Sequence, residues 1–338
     1  MDTSALLQIP AFPPLAAKVL CLPANDESGT ASLVRLLRSD PALSAEIIRF
    51  ANSSLFALRA EVGSLDHAVT LLGLRRIRGL ALSAIMRTYL KGILLIDELR
   101  SFWRSSVACA LIAERISPAI DIPEDTGYGA ALLHDIGCLG LMMADSVEYP
   151  RLLQIATEER EAGKEFNLLD QERNLFGFDR YDAGAWLARH WNLPEDLRAA
   201  AGRYSADEME CGLIGLIVAA GRLANSLGFA MVTDPRRPTY EQIRASLAPQ
   251  VASRLLECGD ELRAQTEKQI ALLDWDTCAF EQESAARALL NFSGQAVAGD
   301  SQDIAVAVEP GKRQPYTAIW VGGAVLVALL ILALIVKP

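Results

Sequence analysis

Residues 130–143, with the sequence AALLHDIGCLGLMM, are apolar around almost the whole circumference of a helix, and they constrain the fold more than any other segment. A helix of this kind is stable where other helices enclose it. The residues that share a stripe with His134 on this helix are Ala130, Leu133, Gly137, Cys138 and Leu141. We therefore expect the imidazole to point into the protein. A buried His134–Asp135 pair needs partners, which are either a metal ion or other side chains.

The rest of residues 1–294 carries helix start and stop signals and no long strand-like alternation. Asp40 precedes Pro41, and this pair predicts an N-cap followed by the first residue of a helix. Ser64 opens a further predicted helix, and Gly73 closes it as a left-handed cap. Other predicted helices span residues 75–90, 102–116, 128–143, 150–162, 180–191, 194–200 and 209–227. The pattern predicts an all-α bundle.

Residues 318–336, AIWVGGAVLVALLILALIV, contain no charged side chain over 19 positions. A helix of that length measures roughly 28 Å, which is the thickness of the hydrocarbon core of a bilayer. Tyr316 and Trp320 suit one membrane interface, and Lys312 and Arg313 lie just outside it. We therefore predict a single-pass transmembrane helix that acts as a tail anchor.

The segments on either side of the bundle differ from it in composition. The N-terminal sequence MDTSALLQIPAFPP lacks the basic start and apolar run of a signal peptide, which predicts a soluble part in the cytoplasm. Residues 231–294 form a more charged helical extension without a catalytic motif, and Pro249 must kink or divide it. Residues 295–317 contain few large apolar groups, which predicts a flexible linker to the transmembrane helix.

Charge and residue counts exclude several classes of function. The formal net charge is −10, so the surface repels phosphate backbones and nucleic acid is not an expected partner. The six cysteines are far apart, without CxxC or CxxH spacing, which excludes a zinc ribbon and a dithiol redox motif. The three histidines, His67, His134 and His190, leave few ligands for metal chemistry.

Several motifs in order resemble a known family. They are LLQIPAFPPLAAKVL, LVRLLRSDPALSAEIIRFANSSLFALRAEVGSLDHAVTLLGLRRIRGLAL, FWRSSVACALIAERI, YGAALLHDIGCLGL, LFGFDRYDAGAWLARHWNLPEDLRAA and LIGLIVAAGRLANSLG. Residues 6–228 thereby resemble the HDOD family, a bacterial signalling branch of the HD-type metal phosphohydrolases. The resemblance implies an HDOD-like domain over residues 1–230, with an N-terminal bundle at 1–95 and an HD-like bundle at 96–230.

The resemblance also implies a metal-ligand set of His, then His-Asp, then Asp, and this chain retains only part of it. His134 and Asp135 are kept, whereas Ser105 and Gly221 occupy the first and last ligand positions. At further positions where the family often has histidine, the chain has Arg180, Ser205 and Ala206. Two protein ligands cannot hold a hydrolytic metal firmly, and Arg180 would add positive charge if it lies nearby. We predict a vestigial pair hydrogen-bonded to its neighbours, with no metal and no cofactor.

The expected function is therefore non-catalytic. The resemblance implies a bacterial signal-transduction or regulatory protein that binds other signalling or regulatory proteins, and the predicted tail anchor would hold it at the inner membrane. A first alternative is a metal-dependent HD-type phosphohydrolase or cyclic-nucleotide phosphodiesterase that uses His134 and Asp135. A second is a nucleotide sensor that binds anions at a basic patch formed by Arg75, Arg76 and Arg78.

Overall fold

The structure is a computed structural model that describes residues 6–22, 27–53, 56, 61–90, 97–203 and 212–273. Within these residues the regular structure is entirely helical and no strand occurs, which confirms the predicted all-α class. Residues 274–294 of the extension, the predicted linker at 295–317 and the predicted transmembrane helix at 318–336 lie outside the described residues. Ser205 and Ala206 lie outside them as well.

The described residues contain sixteen α-helices. The first five are α1 (Pro14–Cys21), α2 (Glu27–Arg38), α3 (Pro41–Ala51), α4 (Leu65–Leu72) and α5 (Leu74–Leu90). The next seven are α6 (Asp97–Ile116), α7 (Glu124–Leu133), α8 (Ile136–Ala144), α9 (Glu148–Glu161), α10 (Leu168–Phe176), α11 (Arg180–His190) and α12 (Glu195–Ala201). After the gap in the described residues come α13 (Gly212–Ser226), α14 (Tyr240–Ser246), α15 (Pro249–Ala252) and α16 (Gly259–Leu273).

The two predicted N-caps form as the sequence indicates, whereas the predicted C-cap of α4 differs. The Asp40 carboxylate accepts hydrogen bonds from the first backbone N–H groups of α3, at 3.0 and 3.1 Å. The Ser64 hydroxyl caps α4 by accepting from the His67 amide at 3.2 Å. Gly73 ends α4 with a φ of +83°, but its ψ of 152° is extended, so it is not the left-handed helical cap that we predicted. The extended ψ leads the chain directly into α5 at the next residue.

Of two breaks between helices, the sequence predicts one and not the other. Pro249 divides the extension as predicted, because α14 ends before it and α15 begins at it. The predicted continuous helix over 128–143 is wrong, since α7 ends at Leu133 and α8 begins at Ile136. His134 and Asp135 form the turn between them, and Asp135 leaves helical geometry with φ −108° and ψ 24°. No proline or glycine marks this turn, and the packing of α8 on another helix imposes it.

Helix α6 lies at the centre of the bundle, in contact with α7, α8, α13 and α16. Its Trp103 side chain is buried, and the indole N–H donates to the Leu273 carbonyl at 3.3 Å. One continuous apolar core runs through the described chain from Leu6 to Leu273. The C-terminal extension, as far as it is described, is therefore packed on the main bundle.

One described stretch, Glu124–Ala144, is long and apolar enough to cross a bilayer by length and composition. Most of it, 78% of its most apolar window, is buried inside the protein. The enclosing helices explain its hydropathy, in agreement with the expectation that this segment is the centre of the bundle.

Candidate functional site

A cavity of ≈ 320 Å³ opens where the turn between α7 and α8 meets α6, α11 and α13. Ser105, His134, Asp135 and Gly221 all line this cavity. These are the four positions that the family resemblance relates to a metal site, and they come from three separate parts of the chain. The fold therefore brings together the residues that the sequence motifs singled out.

His134 and Asp135 differ in how they are held. Both are half-buried. The His134 Nδ1–H donates to the Ala131 carbonyl at 2.7 Å, so Nε2 is the ring nitrogen left for the cavity. The Asp135 carboxylate has no hydrogen-bond partner among the described residues. The predicted bonding to neighbours thus occurs for the imidazole and not for the carboxylate.

Helix α8 begins beside the cavity and contacts α11 backbone to backbone. A Cβ atom added at Gly137 would lie 1.7 Å from the carbonyl oxygen of Arg180. A Cβ atom added at Gly184 would lie 2.1 Å from the carbonyl oxygen of Ala201, on α12. Only glycine permits approaches this close. The contact at Gly137 places Arg180, the first residue of α11, next to the His134–Asp135 turn.

Arg180 lines the cavity as a largely buried, ion-paired cation. Its Nε donates to Glu172 at 2.9 Å, its backbone N–H donates to the same carboxylate at 3.0 Å, and the Tyr149 hydroxyl donates to it at 2.9 Å. Burial lowers the pKa of Arg180, but Cys138, Tyr149, Asp135 and Glu172 raise it, and the net pKa is well above the usual value. The guanidinium is therefore charged, and the positive charge expected at this position lies at the cavity.

The donor set around the cavity does not fit a resident catalytic metal ion. Ser105 offers a hydroxyl and Gly221 no side chain, which leaves His134 and Asp135 as the family's ligands. Cys109 also lines the cavity, but burial, followed by the Asp135 charge, raises its thiol pKa and keeps it protonated. Within the described residues, no group of three or more His, Cys, Asp or Glu side chains could hold an ion. Hydrolytic sites ordinarily use at least three protein ligands.

Two further arginines line the cavity that sequence analysis did not single out. Arg160 lies near the end of α9, and Arg237 lies in the connection between α13 and α14. Asn167, Tyr181 and Asn225 add polar groups to the wall. Neither arginine belongs to a recognisable motif, and only the tertiary fold brings them together. No signal in a single sequence could have found them.

The three arginines of the predicted basic patch have different surroundings. The Arg78 guanidinium donates to two carbonyls at the end of α1, at 2.9 and 2.6 Å, and to Asp125 at 2.8 Å. These bonds satisfy the C-terminus of α1, as a basic side chain at a helix end can. Arg75 and Arg76 are exposed, and the Arg76 Nε lies 4.0 Å from Glu114 on α6. Anion binding at this patch stays a prediction.

The two remaining histidines lie away from the cavity. His67 is half-buried on α4. His190 is exposed at the end of α11, where its ring stacks on Trp186 with the ring centroids 4.7 Å apart. Neither is among the residues that line the cavity, so neither completes a ligand set there.

Comparison with known proteins identifies the domain. The HDOD domain model matches residues 9–206, which is more than half of the chain. An uncharacterized protein of Treponema pallidum (strain Nichols) is 26% identical over 191 residues, covering 55% of this chain and 36% of that protein. The chain thus spans about a third of the length of this curated relative.

Solved structures share the fold at low sequence identity. A protein from Shewanella amazonensis SB2B, provisionally named a phosphohydrolase, is 21% identical with a TM-score of 0.56, covering 80% of this chain and 96% of its own. A provisionally named signal transduction protein from Marinobacter aquaeolei VT8 is 21% identical with a TM-score of 0.57, covering 79% of this chain and 60% of its own. An HDOD domain protein of unknown function from Geobacter sulfurreducens is 20% identical with a TM-score of 0.57, covering 79% of this chain and 91% of its own.

Proposed function

The chain belongs to the HDOD domain family, and we propose that it is a non-catalytic regulatory protein that acts in signal transduction through protein–protein interaction. The predicted transmembrane helix at 318–336 would tether it to the bacterial inner membrane, with the helical domain on the cytoplasmic side. The expected partners are other signalling or regulatory proteins. One solved structure of the same fold is provisionally named a signal transduction protein, which agrees with this role.

The observation that carries the proposal is the donor set of the cavity. Ser105 and Gly221 replace two of the ligands that the family resemblance implies, and His134 and Asp135 remain. Arg180, which is largely buried and ion-paired with Glu172, occupies a further position where the family often has histidine, so it adds no metal ligand to the retained pair. A cavity built in this way lacks the means to activate water with a metal ion.

The proposed docking surface lies between the N-terminal half and the HD-like half of the domain. A cleft of ≈ 130 Å³ is present there, bounded by α1, α5, α7 and the start of α12. The Arg78–Asp125 ion pair lines it. The Asp125 Oδ1 atom is buried and has no hydrogen-bond partner in the described part of the chain.

The proposal is tested on the full-length protein purified in detergent. Iron, manganese and zinc content is measured, together with hydrolysis of bis(p-nitrophenyl) phosphate and of cyclic dinucleotides. We expect less than stoichiometric metal and no hydrolysis above that of the His134→Ala variant. A stoichiometric metal ion together with hydrolysis that the His134→Ala variant loses would contradict the proposal.

That contradictory result would support a second candidate, a metal-dependent HD-type phosphohydrolase. One observation favours it. The Nδ1–H of His134 is bound to a backbone carbonyl, and this is the arrangement that orients metal-ligating histidines with Nε2 towards the ion. The same bond also orients a histidine that binds no metal, so the measurement of metal content separates the two candidates.

A further inference from the structure

The cavity beside the His134–Asp135 turn has a strongly basic lining. Arg160, Arg180 and Arg237 contribute three guanidinium groups, from α9, from α11 and from the connection after α13. Asp135 is the one carboxylate among the described residues that line it. The family resemblance implies a bound metal cation at this position. In this chain, positively charged side chains surround the same position instead.

Arg180 is already neutralised by a partner. Its Nε and Nη2 both donate to Glu172, whose side chain is fully buried. This pair forms a fixed part of the wall. Arg160 and Arg237 are therefore the groups whose charge is available to a ligand.

Arg160 and Arg237 are not ion-paired. Within the described residues no carboxylate lies in salt-bridge range of either guanidinium, and the Arg160 side chain makes one long hydrogen bond, at 3.4 Å, to the Phe166 carbonyl. The charge of Asp234 acts on both arginines, but its carboxylate accepts hydrogen bonds from the backbone and side chain of Arg236, at 3.0 and 3.2 Å. Two cations thus border the cavity without a bonded counter-charge.

The two guanidinium groups also repel each other. Burial lowers the pKa of Arg237, and the charge of Arg160 lowers it further. Burial lowers the pKa of Arg160 too, although Asp234 acts in the opposite direction. Partly buried charges are unfavourable unless they are paired, and two like charges in one wall add to the penalty. An anion that bridges both groups would remove the repulsion and provide the missing hydrogen-bond acceptors.

We infer that this cavity binds the phosphate group of a small phosphorylated molecule between Arg160 and Arg237, where the wider family places a metal ion. A phosphate carries about −1.5 to −2 charge near pH 7, which matches two guanidinium groups, whereas a carboxylate matches one. Guanidinium groups bind phosphate oxygens through paired N–H donors. The cavity volume of ≈ 320 Å³ lies at the lower end of the range for small-molecule sites.

The remaining polar groups in the wall would orient the rest of the ligand. Asn167, Tyr181 and Asn225 line the cavity and can donate or accept hydrogen bonds. Arg237 lies beyond residues 9–206, so this site depends on a segment outside the family match. The inference needs neither a metal nor turnover, and it holds whether or not the proposed docking role is correct.

The first experiment uses the full-length protein in a neutral, phosphate-free detergent without added phospholipid, so that lipid headgroups do not compete. Inorganic phosphate is titrated by calorimetry, and the thermal midpoint is followed in phosphate and in chloride at equal ionic strength. We expect saturable binding of phosphate and a midpoint that rises in phosphate only. Equal midpoints in the two salts, without a saturable binding signal, would overturn the inference.

The second experiment compares three variants. Arg160→Gln and Arg237→Gln each remove one proposed contact, and we expect a loss of phosphate affinity of roughly tenfold. Arg151→Gln is the matched control, because Arg151 lies on the same helix as Arg160 but is exposed and pairs with Glu148 at 3.7 Å. Its affinity should equal that of the wild type.

The phosphate-free state gives an independent readout. Without phosphate, removal of either arginine relieves the repulsion, so the thermal midpoints of the Arg160→Gln and Arg237→Gln variants should not fall below that of the wild type. A loss of affinity as large in Arg151→Gln as in Arg237→Gln would show that overall charge, rather than this site, attracts phosphate, and would refute the inference.

Discussion

At the scale of single residues, glycine has two different roles around the cavity. Gly137 is required by space, because the Arg180 carbonyl occupies the position of a side chain. Gly221 is not, since a Cβ atom there would have the Cys109 sulfur, at 3.9 Å, as its nearest neighbour. The fold therefore requires the first glycine, whereas the second has room for a side chain at the position where the family resemblance implies a ligand.

This difference predicts opposite effects of the same substitution. Gly137→Ala forces α8 away from α11, and we expect it to lower the free energy of unfolding by about 3 kcal/mol. Gly221→Ala places a methyl group in open space inside α13, and we expect it to raise that free energy by about 0.5–1 kcal/mol. Urea unfolding followed by circular dichroism measures both. Equal effects of the two variants would contradict the assigned roles.

The ligand positions that the family resemblance implies at Ser105 and Gly221 predict that added ligands there would bind a metal ion. The double variant Ser105→His, Gly221→Asp adds an imidazole and a carboxylate to the cavity that His134 and Asp135 line. With four ligands we expect about one Mn²⁺ or Zn²⁺ ion per chain after loading and desalting, and less in the wild type. Elemental analysis measures the content.

The control for this gain adds His134→Ala to the double variant, which should lose the metal again. If the double variant retained no more metal than the wild type, the assignment of Ser105 and Gly221 to ligand positions would be wrong.

At the scale of elements, the sequence predicted helix ends better than it predicted the course of the chain through the site. Asp40, Ser64 and Pro249 each act through their own side chain or ring, so a local pattern suffices to place them. The turn at His134–Asp135 depends on the contact of α8 with α11, which involves residues over forty positions apart in sequence. Local propensity contains no information about such a contact.

The junction of α10 and α11 rests on a buried ion pair, which a substitution can test. Glu172→Gln leaves the Arg180 charge buried without its counter-charge, so we expect the free energy of unfolding to fall by about 3–5 kcal/mol. Glu195→Gln is the matched control, because Glu195 pairs with Arg198 on the surface and is largely exposed. That variant should unfold like the wild type in urea. A loss of similar size in both variants would show that the pair at Glu172 has no special role.

The N-cap of α11 predicts a pH dependence of stability. The Asp179 carboxylate accepts from the amides of Tyr181 and Asp182, at 2.9 and 3.1 Å, and is ion-paired with Arg173 and Arg203. Burial raises the pKa of Asp179. The hydrogen bonds and the two arginines lower it by more than burial raises it, so the net pKa is below the usual value. The unfolded chain then binds the proton more readily than the folded one, so stability falls as the pH drops below about 4.

We expect the Asp179→Asn variant to be less stable than the wild type at pH 7. As the pH falls from 5 into the acid range, the variant should lose less stability than the wild type loses. Asp196→Asn, at an exposed position of α12, should keep the wild-type profile. The thermal midpoint measured across this pH range checks both variants. If the Asp179→Asn variant lost as much stability at acid pH as the wild type, Asp179 would not be the cause of that loss.

At the scale of the whole molecule, distant segments meet where no motif announces them. The family motifs located Ser105, His134, Asp135 and Gly221, because these residues belong to recognisable patterns. Arg160 and Arg237 come from a charged helix and from a proline-flanked connection, and their proximity exists only in the folded chain. The sequence patterns therefore could not predict that these two arginines line the cavity.

Membrane attachment predicts a partition that can be measured. If the proposed attachment is correct, the full chain should sediment with the membrane fraction and remain there in high salt, because the bilayer core would hold the predicted apolar helix of 19 residues. A chain ending at Ser293 should appear in the supernatant. Affinity capture of both forms would identify partners that require membrane placement. A full chain released by salt would contradict the tail anchor.

The backbone contact at Gly137 has one more consequence. The floor and one wall of the cavity are joined by main-chain atoms that touch, and Arg180 is fixed there by Glu172. Protein atoms alone make these contacts, so the cavity keeps its shape whether or not a ligand occupies it. A chelator should therefore leave the melting behaviour of the protein unaltered, and a lineage could exchange one occupant for another without rebuilding the scaffold around it.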